Sequence, residues 1–93
     1  MIKSFKCKKT QLLFENGECD KQFRPFQSAA ERKLRALEAA VELYDLRLPP
    51  SNHFKSLGGD REGQFSIRIN DKWRICFTWV ESGPENVEIV NYH

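Results

Sequence analysis

The chain has 93 residues, of which 40% are hydrophobic and 30% are charged, and its formal net charge is +2. This length allows one domain with one modest core, and this composition excludes an intrinsically disordered chain. So small a net charge does not by itself indicate a nucleic-acid-binding protein, and no apolar run reaches the roughly 20 residues that a membrane span needs. We therefore expect a single domain over residues 1–93.

The N-terminus lacks the long apolar stretch of a signal peptide, so we expect a cytoplasmic protein. The three cysteines, Cys7, Cys19 and Cys76, are widely spaced and odd in number. This arrangement favours three reduced thiols over a disulfide framework or a zinc site. We expect neither a metal nor a cofactor.

The N-terminal third is predicted to contain a short strand over residues 2–6 and a short helix from Lys9 to Phe14. Gly17 suits the left-handed conformation in which many helices end. A polar connection over residues 18–24 then leads to the strongest periodic pattern in the sequence.

That pattern predicts a helix of about five turns, because apolar residues recur at steps of three and four. They are Phe26, Ala30, Leu34, Leu37, Val41 and Tyr44. Pro25 at the first helical position and a capping box from Ser28 to Glu31 are two alternative starts. The helix must end before Pro49, because the residue before a proline disfavours the helical conformation.

Residues 48–63 form a long predicted loop that is rich in Pro and Gly. Loops of this length are uncommon in small domains and are usually functional or disordered. Its polar and charged residues, which include His53, Lys55 and Arg61, make this loop a candidate wall of a binding site.

Alternating apolar residues predict three strands, over residues 64–69, 73–80 and 86–92. A one-residue slip would move the apolar set of a strand to the other face, so the alternation constrains how the strands pair. This constraint applies to both predicted hairpins.

In the first hairpin, a three-residue loop over residues 70–72 pairs Ile67 with Ile75 and sets Arg68 opposite Arg74. In the second, a loop that pairs Val80 with Asn86 sets Arg74 opposite Tyr92. Loops two residues shorter or longer keep the same faces, so the second register is less constrained than the first.

The predicted register places Arg68, Arg74 and Tyr92 in one row on the face away from the long helix, with His93 next to it. Such a row is either an ordinary solvated face or an anion site, because two opposed guanidinium groups can clamp a phosphate. A tyrosine adds a hydroxyl and a surface on which a base can stack, and a histidine can change protonation near neutral pH.

Several motifs resemble the HigB-type toxins of bacterial toxin–antitoxin modules, within the RelE/ParE superfamily. The resemblance covers essentially the whole chain. The motifs are Met1-Ile2-Lys3-Ser4-Phe5, Gly59-Asp60-Arg61-Glu62-Gly63 followed by Ser66-Ile67, Trp73-Arg74-Ile75-Cys76-Phe77, and the terminal Asn91-Tyr92-His93.

The resemblance implies a compact α+β fold, with a short and a long N-terminal helix packed on one face of a curved antiparallel sheet. It implies an endoribonuclease that cuts messenger RNA in the ribosomal A site. It also implies a HigA-type helix-turn-helix antitoxin as partner, through which alone the toxin reaches operator DNA, and no membrane partner.

Carried over residue by residue, the resemblance assigns phosphate stabilisation to Arg74 and a catalytic pair to Tyr92 and His93, without deciding which of the two is the base. Asn91 stands where related toxins often carry an acid, and Gly58 stands where several carry a lysine. Lys55 is the nearest cation that could replace that lysine.

We expect the RNA phosphates to be bound by Arg68, Lys55, Arg61, Asn91 and His53, although Arg61 could instead fix its own loop by hydrogen bonds. Two other functions stay open. A ParE-like toxin would inhibit DNA gyrase without cutting RNA, and a toxin-derived module would act only in repression.

Overall fold

The computed structural model describes residues 1–81 and 83–91. Among these residues the helices are α1 (Lys8–Asn16) and α2 (Gln27–Ala39), and the strands are β1 (Lys55–Ser56), β2 (Phe65–Arg68), β3 (Trp73–Val80) and β4 (Gly83–Asn91). Short 3-10 helices cover Lys21–Phe26, Leu43–Arg47, Pro50–Asn52 and Gly59–Arg61. Within the described residues, no helix combines the length and the apolar character needed to cross a membrane.

The strands form one sheet in the order β1-β2-β3-β4, and every neighbouring pair is antiparallel. Both helices pack against one face of this sheet. The buried core joins Leu13 of α1 and Leu34 of α2 to Ile67, Ile75 and Phe77 of the strands. The predicted α+β fold, with a short and a longer helix on one face of an antiparallel sheet, is confirmed.

The first helix is also confirmed, and it ends where the glycine predicts. Gly17 adopts φ 72°, and its N–H donates to the Leu13 carbonyl at 3.1 Å. The connection that follows is not purely polar. Phe23 is 1% exposed in the Lys21–Phe26 turn and meets Trp73 edge-on.

The long helix is shorter than predicted. It begins at Gln27 after a 3-10 turn that contains Pro25, so neither predicted start is correct, and it ends at Ala39. Val41 and Tyr44 have the helical spacing but lie outside α2, and their exposed fractions are 71% and 59%.

The early end has a local cause in the segment after α2. The Asp45 carboxylate accepts the backbone N–H groups of Val41 at 3.0 Å and Glu42 at 2.9 Å. An aspartate that bonds to backbone N–H groups competes with continuation of a helix. The chain therefore turns extended at Ala40 and restarts as the Leu43–Arg47 turn.

The predicted N-terminal strand is replaced by an extended segment along β4. Phe5 makes an isolated parallel bridge with Val87, Lys3 N–H donates to the Pro84 carbonyl at 2.8 Å, and Val87 N–H donates to the Ser4 carbonyl at 3.1 Å. These bonds cover the outer edge of β4. The fourth strand of the sheet is instead β1, within the segment that was predicted to be a loop.

The register between β2 and β3 is confirmed, because Ile67 pairs with Ile75 and Arg68 pairs with Arg74. The tight connection is held by Asn70, whose side-chain oxygen accepts the N–H groups of residues 72 and 73 at 2.9 Å. This carboxamide supplies the turn bonds that the three-residue loop needs.

The predicted register between β3 and β4 is wrong. Arg74 pairs with Val90 and not with Tyr92, because β4 begins at Gly83 and a tight turn replaces the predicted five-residue loop. The register then shifts by one residue beyond Cys76, near Asn86, whose φ is 54°. The turn is three residues shorter than predicted and the bulge returns one of them, so residues near Arg74 keep their predicted faces. Parity alone therefore could not reveal either change.

Candidate active site

Arg74 is the centre of the candidate site, on the sheet face away from the helices. It lies in the middle of the sheet and is only 8% exposed. Its Nε donates to the Ser66 hydroxyl at 2.8 Å, and its Nη2 donates to the main-chain carbonyl of His53. These two contacts fix the plane of the guanidinium group.

Neither acceptor was predicted for this role. Ser66 is fully buried, and the register already placed it on the Arg74 face, so the sequence held a signal for it. His53 takes part through its backbone, in the left-handed conformation at φ 43°, while its residue is exposed. A main-chain acceptor leaves no signal in the residue type.

A row of paired residues crosses the sheet beside Arg74. Lys55 on β1 pairs with Ser66 on β2, Ser66 with Cys76 on β3, and Cys76 with Glu88 on β4. Directly paired residues project to the same face, so this row and Arg74 share one surface. Burial raises the pKa of the Cys76 thiol, which keeps it protonated in the site floor.

A carboxylate at one end of the row holds two cations. Glu88 Oε2 lies 3.6 Å from Lys6 Nζ and 3.4 Å from Arg61 Nη1, and Arg61 also donates to Gln64 Oε1 at 3.0 Å. Arg61 was considered either for RNA binding or for fixing its own loop by hydrogen bonds, and these contacts fix the loop. They anchor the Gly59–Arg61 turn to β4.

Arg68 lies opposite Arg74 as predicted, and its guanidinium forms an ion pair with Asp71 that relieves the like-charge contact. Asn91 is placed differently from the other predicted binding residues. It pairs with Trp73, whose ring packs on Phe26 among the helices, so the register puts Asn91 on the opposite face from Arg74.

The proposed catalytic pair, Tyr92 and His93, lies outside the described residues. The structure therefore brings together Arg74, Arg68, Arg61, Lys55 and the backbone of His53, on or beside one face. Within residues 1–81 and 83–91, no group of three or more His, Cys, Asp or Glu side chains is arranged to hold a metal ion.

Chemically, this face is basic, with one buried, oriented guanidinium at its centre. Lys55, the partly exposed Arg61 and Arg68, and the exposed Lys6 surround it, and Glu88 offsets part of their charge. Guanidinium groups match the geometry of phosphate oxygens. The fold and this face define a small α+β protein with a basic sheet face, whose cations have the chemistry to bind phosphate.

Comparison with known proteins gives the family. The chain belongs to the family described as the RelE-like toxin of type II toxin-antitoxin system HigB, whose model matches residues 3–93. This confirms the family resemblance inferred from the sequence motifs.

Two similar proteins span nearly all of the chain. Toxin HigB-1 of Vibrio cholerae serotype O1 is 40% identical over 85 residues, which cover 87% of this chain and 86% of the relative. Endoribonuclease HigB of Proteus vulgaris is 34% identical over 98 aligned residues, which cover 100% of both proteins.

Proposed function

We propose that this type II toxin is an endoribonuclease that cuts messenger RNA in the ribosomal A site, in the cytoplasm, and so stops translation. The family membership of residues 3–93 supports the toxin role, and one relative is named an endoribonuclease. The observation that carries the proposal is Arg74, a buried guanidinium fixed on a basic sheet face.

The proposed reaction needs only groups that protein and RNA supply. The ribose 2′-oxygen attacks the adjacent phosphorus, the bond from phosphorus to the 5′-oxygen breaks, and the products are a 2′,3′-cyclic phosphate and a 5′-hydroxyl. A base takes the 2′ proton, an acid gives a proton to the leaving 5′-oxygen, and a cation stabilises the phosphorane.

Arg74 is the proposed phosphorane-stabilising residue. The Ser66 hydroxyl and the His53 carbonyl are neutral acceptors, so these two contacts orient the guanidinium without cancelling its charge. A donor held in place before the reaction adds stabilisation without reorganisation in the transition state.

Proton transfer is assigned to Tyr92 and His93 from the family motif, with the base still to be distinguished from the acid. For RNA binding we propose Lys55, Arg68, Arg61 and His53. RNA binding by Asn91 also stays a prediction, although its pairing with Trp73 places it on the sheet face opposite Arg74.

The toxin family implies an antitoxin partner. We propose that this partner is a HigA-type helix-turn-helix protein, which would also be the only route by which the toxin reaches operator DNA. The ribosome, with message in its A site, is the second proposed partner.

The test is induced expression of the wild type, Arg74→Lys and Arg74→Ala, with mapping of 5′ ends on messages from stalled ribosomes. Arg35→Ala is the matched control, because Arg35 is exposed on α2, away from the site face. We expect new ends with the wild type and with the control, and loss of those ends with both Arg74 variants.

The same cultures separate the other functions. Intact messages together with inhibition of purified gyrase in a plasmid supercoiling assay would replace this proposal with gyrase inhibition. Absence of growth arrest on expression of the folded wild-type toxin would instead leave a role in repression only.

A further inference from the structure

A second concave surface lies beside the Arg74 site, around the edge of the sheet. It is a groove of about 520 Å³, within the roughly 300–1,000 Å³ of typical ligand sites. We call it the aromatic groove, and it is lined by Tyr44, Arg47, His53, Phe54, Ser56 and Phe65.

Its aromatic rings form a continuous series that ends in the core. Tyr44 meets Phe54 edge-on at a centroid distance of 6.1 Å, and Phe54 stacks on Phe65 at 5.7 Å with 13° between the planes. Phe65 contacts Phe77, which is fully buried. The groove floor is therefore fixed by the core, while Tyr44 is 59% exposed above it.

A cation completes the upper wall. The Arg47 guanidinium lies 4.2 Å from the centre of the Tyr44 ring, and within the part of the chain that the structure describes it makes no ion pair. None of the described lining residues is acidic. The nearby Asp45 carboxylate is engaged by the N–H groups of Val41 and Glu42.

Stacked rings beside a guanidinium that has no ion pair within the described residues provide the chemistry that binds single-stranded nucleic acid. Aromatic faces and guanidinium planes stack on bases, and the cation attracts the phosphates. A protein partner fits less well, because the exposed apolar residues of this segment, Val41 and Leu48, are not among those that line the groove.

The groove also continues directly from the Arg74 site. His53 lines it, and the carbonyl of the same residue accepts the Arg74 guanidinium. On β1, Lys55 shares the Arg74 face, whereas the next residue, Ser56, lines the groove. An RNA strand with one phosphate at Arg74 on β3 thus reaches the groove by passing over β2 and the two-residue edge strand β1.

We propose that the aromatic groove binds one unstacked base of single-stranded RNA next to the phosphate at Arg74, with Tyr44 as the stacking platform and Arg47 on the adjoining phosphate. This inference rests on the proposed ribonuclease function and adds to it a second RNA subsite. The base belongs either to the message or to ribosomal RNA, since both offer the same chemistry.

The test measures binding without cleavage. Ribosomes carry a message whose ribose at the cut site is 2′-O-methylated, and labelled toxin is titrated by co-sedimentation. We expect Tyr44→Ala and Arg47→Ala to raise the half-saturating toxin concentration by about 5–50-fold, because base–aromatic stacking supplies most of the binding energy of this subsite. Tyr44→Phe, which keeps the ring, should stay within about twofold of the wild type.

Val41→Ala and Leu48→Ala are the matched controls, because both residues are exposed on the same segment and neither lines the groove. The proposal is overturned if Tyr44→Ala and Arg47→Ala bind like these controls. It is also overturned if the two variants lose only affinity for the antitoxin, which would make the groove a protein-binding surface.

Messages with single abasic nucleotides distinguish the two sources of the base. If the message supplies it, one abasic position abolishes the difference between wild type and Tyr44→Ala, and if ribosomal RNA supplies it, the difference persists at every position. If Tyr44→Ala binds normally while Arg74→Lys loses cleavage, the proposal for the aromatic groove is refuted and the ribonuclease proposal stands. Failure of the wild type to bind programmed ribosomes removes both proposals.

Discussion

Asn52 gives the sharpest stability prediction, because it is fully buried and joins three segments. Its Nδ2 donates to the carbonyls of Leu46 at 3.1 Å and Leu48 at 3.2 Å, and its Oδ1 accepts from Lys33 Nζ on α2. Replacing it with alanine removes all of these bonds at once. The change tests whether this one amide holds the 43–52 segment against α2.

The expected loss follows from where each partner lies. Leaving the buried Leu46 carbonyl without its hydrogen bond costs about 1–3 kcal/mol of the free energy of unfolding, and leaving the half-buried Lys33 ammonium without its partner costs about 1 kcal/mol. Water can replace the bond to the carbonyl of the exposed Leu48. We expect a decrease of about 3 kcal/mol in the free energy of unfolding. For a chain of this size, that corresponds to a decrease in Tm of roughly 12–24 °C.

Urea unfolding of Asn52→Ala, Lys33→Ala and the double variant measures this loss and its coupling. The cycle should give about 0.5–3 kcal/mol between the two side chains, because they share one buried bond. Asn16→Ala is the matched control, since Asn16 is exposed at the end of α1, and it should change stability by about 0.5 kcal/mol or less. A loss below about 1 kcal/mol in Asn52→Ala, or strict additivity, would refute the reasoning.

Three further predictions concern acid, thiol and backbone chemistry. Backbone N–H donors from Glu42 and Val41 lower the pKa of Asp45 from its ordinary 3.8, so its contribution to stability is present above that pH and is lost as the pH falls below it. Asp45→Asn should therefore flatten the decline of urea-unfolding stability in acid, at pH values below 3.8. Cys76 should resist alkylation in the native protein while the half-buried Cys7 reacts, because the buried thiol of Cys76 stays protonated. Mass spectrometry of the alkylated protein measures both reactions. Gly83→Ala should destabilise by about 1–3 kcal/mol in thermal melts, because a Cβ there would overlap the main-chain carbonyl oxygen of Met1.

Each of these three has an outcome that contradicts it. A wild-type decline in acid for Asp45→Asn would contradict the role given to Asp45, and equal reaction rates of Cys76 and Cys7 would contradict protection of the buried thiol. The matched control for Gly83→Ala is Gly58→Ala, because nothing lies within 4 Å of a Cβ at Gly58. Equal stability of the two alanine variants would show that the close approach at Gly83 does not matter.

The first hairpin could be predicted from the sequence because both of its faces are constrained. Shifting Ile67 by one residue would expose it, so the pairing with Ile75 and of Arg68 with Arg74 follows. The second hairpin could not be fixed in this way. Its turn is three residues shorter than predicted, because Val80 pairs with Gly83, and the bulge near Asn86 returns one residue. The faces near Arg74 are therefore unchanged, and the bulge has no periodic signature.

The end of α2 was missed because spacing does not report burial. Val41 and Tyr44 continue the helical pattern, but the chain leaves the helix at Ala40 when Asp45 takes the next backbone N–H groups. The aromatic groove exists because of that departure, since Tyr44 is exposed instead of buried. Because the predicted helix ran past Ala39, the sequence placed Tyr44 in the core and the aromatic groove was not predicted.

The placement of some candidate residues was predicted, while their roles stay predictions. Strand register placed Arg68 opposite Arg74, the family motif added a role for Arg74, and Ser66 could have been found by the same register argument. The His53 carbonyl could not, because any residue in the left-handed conformation presents the same acceptor. The attachment of Arg61 to Glu88 depends on the β3–β4 register, which was predicted two residues away from its true position.

The central claim is that Arg74 stabilises the phosphorane in ribosome-bound message. The most direct measurement is the single-turnover rate on programmed ribosomes for the wild type, Arg74→Lys and Arg35→Lys, with the 5′ fragment analysed for a 2′,3′-cyclic phosphate. We expect that end product from the wild type, an unchanged rate in Arg35→Lys, and a decrease of about 100–1,000-fold in a folded Arg74→Lys. Cleavage by Arg74→Lys at a rate within about threefold of the wild type, or a product without the cyclic phosphate, would contradict the account.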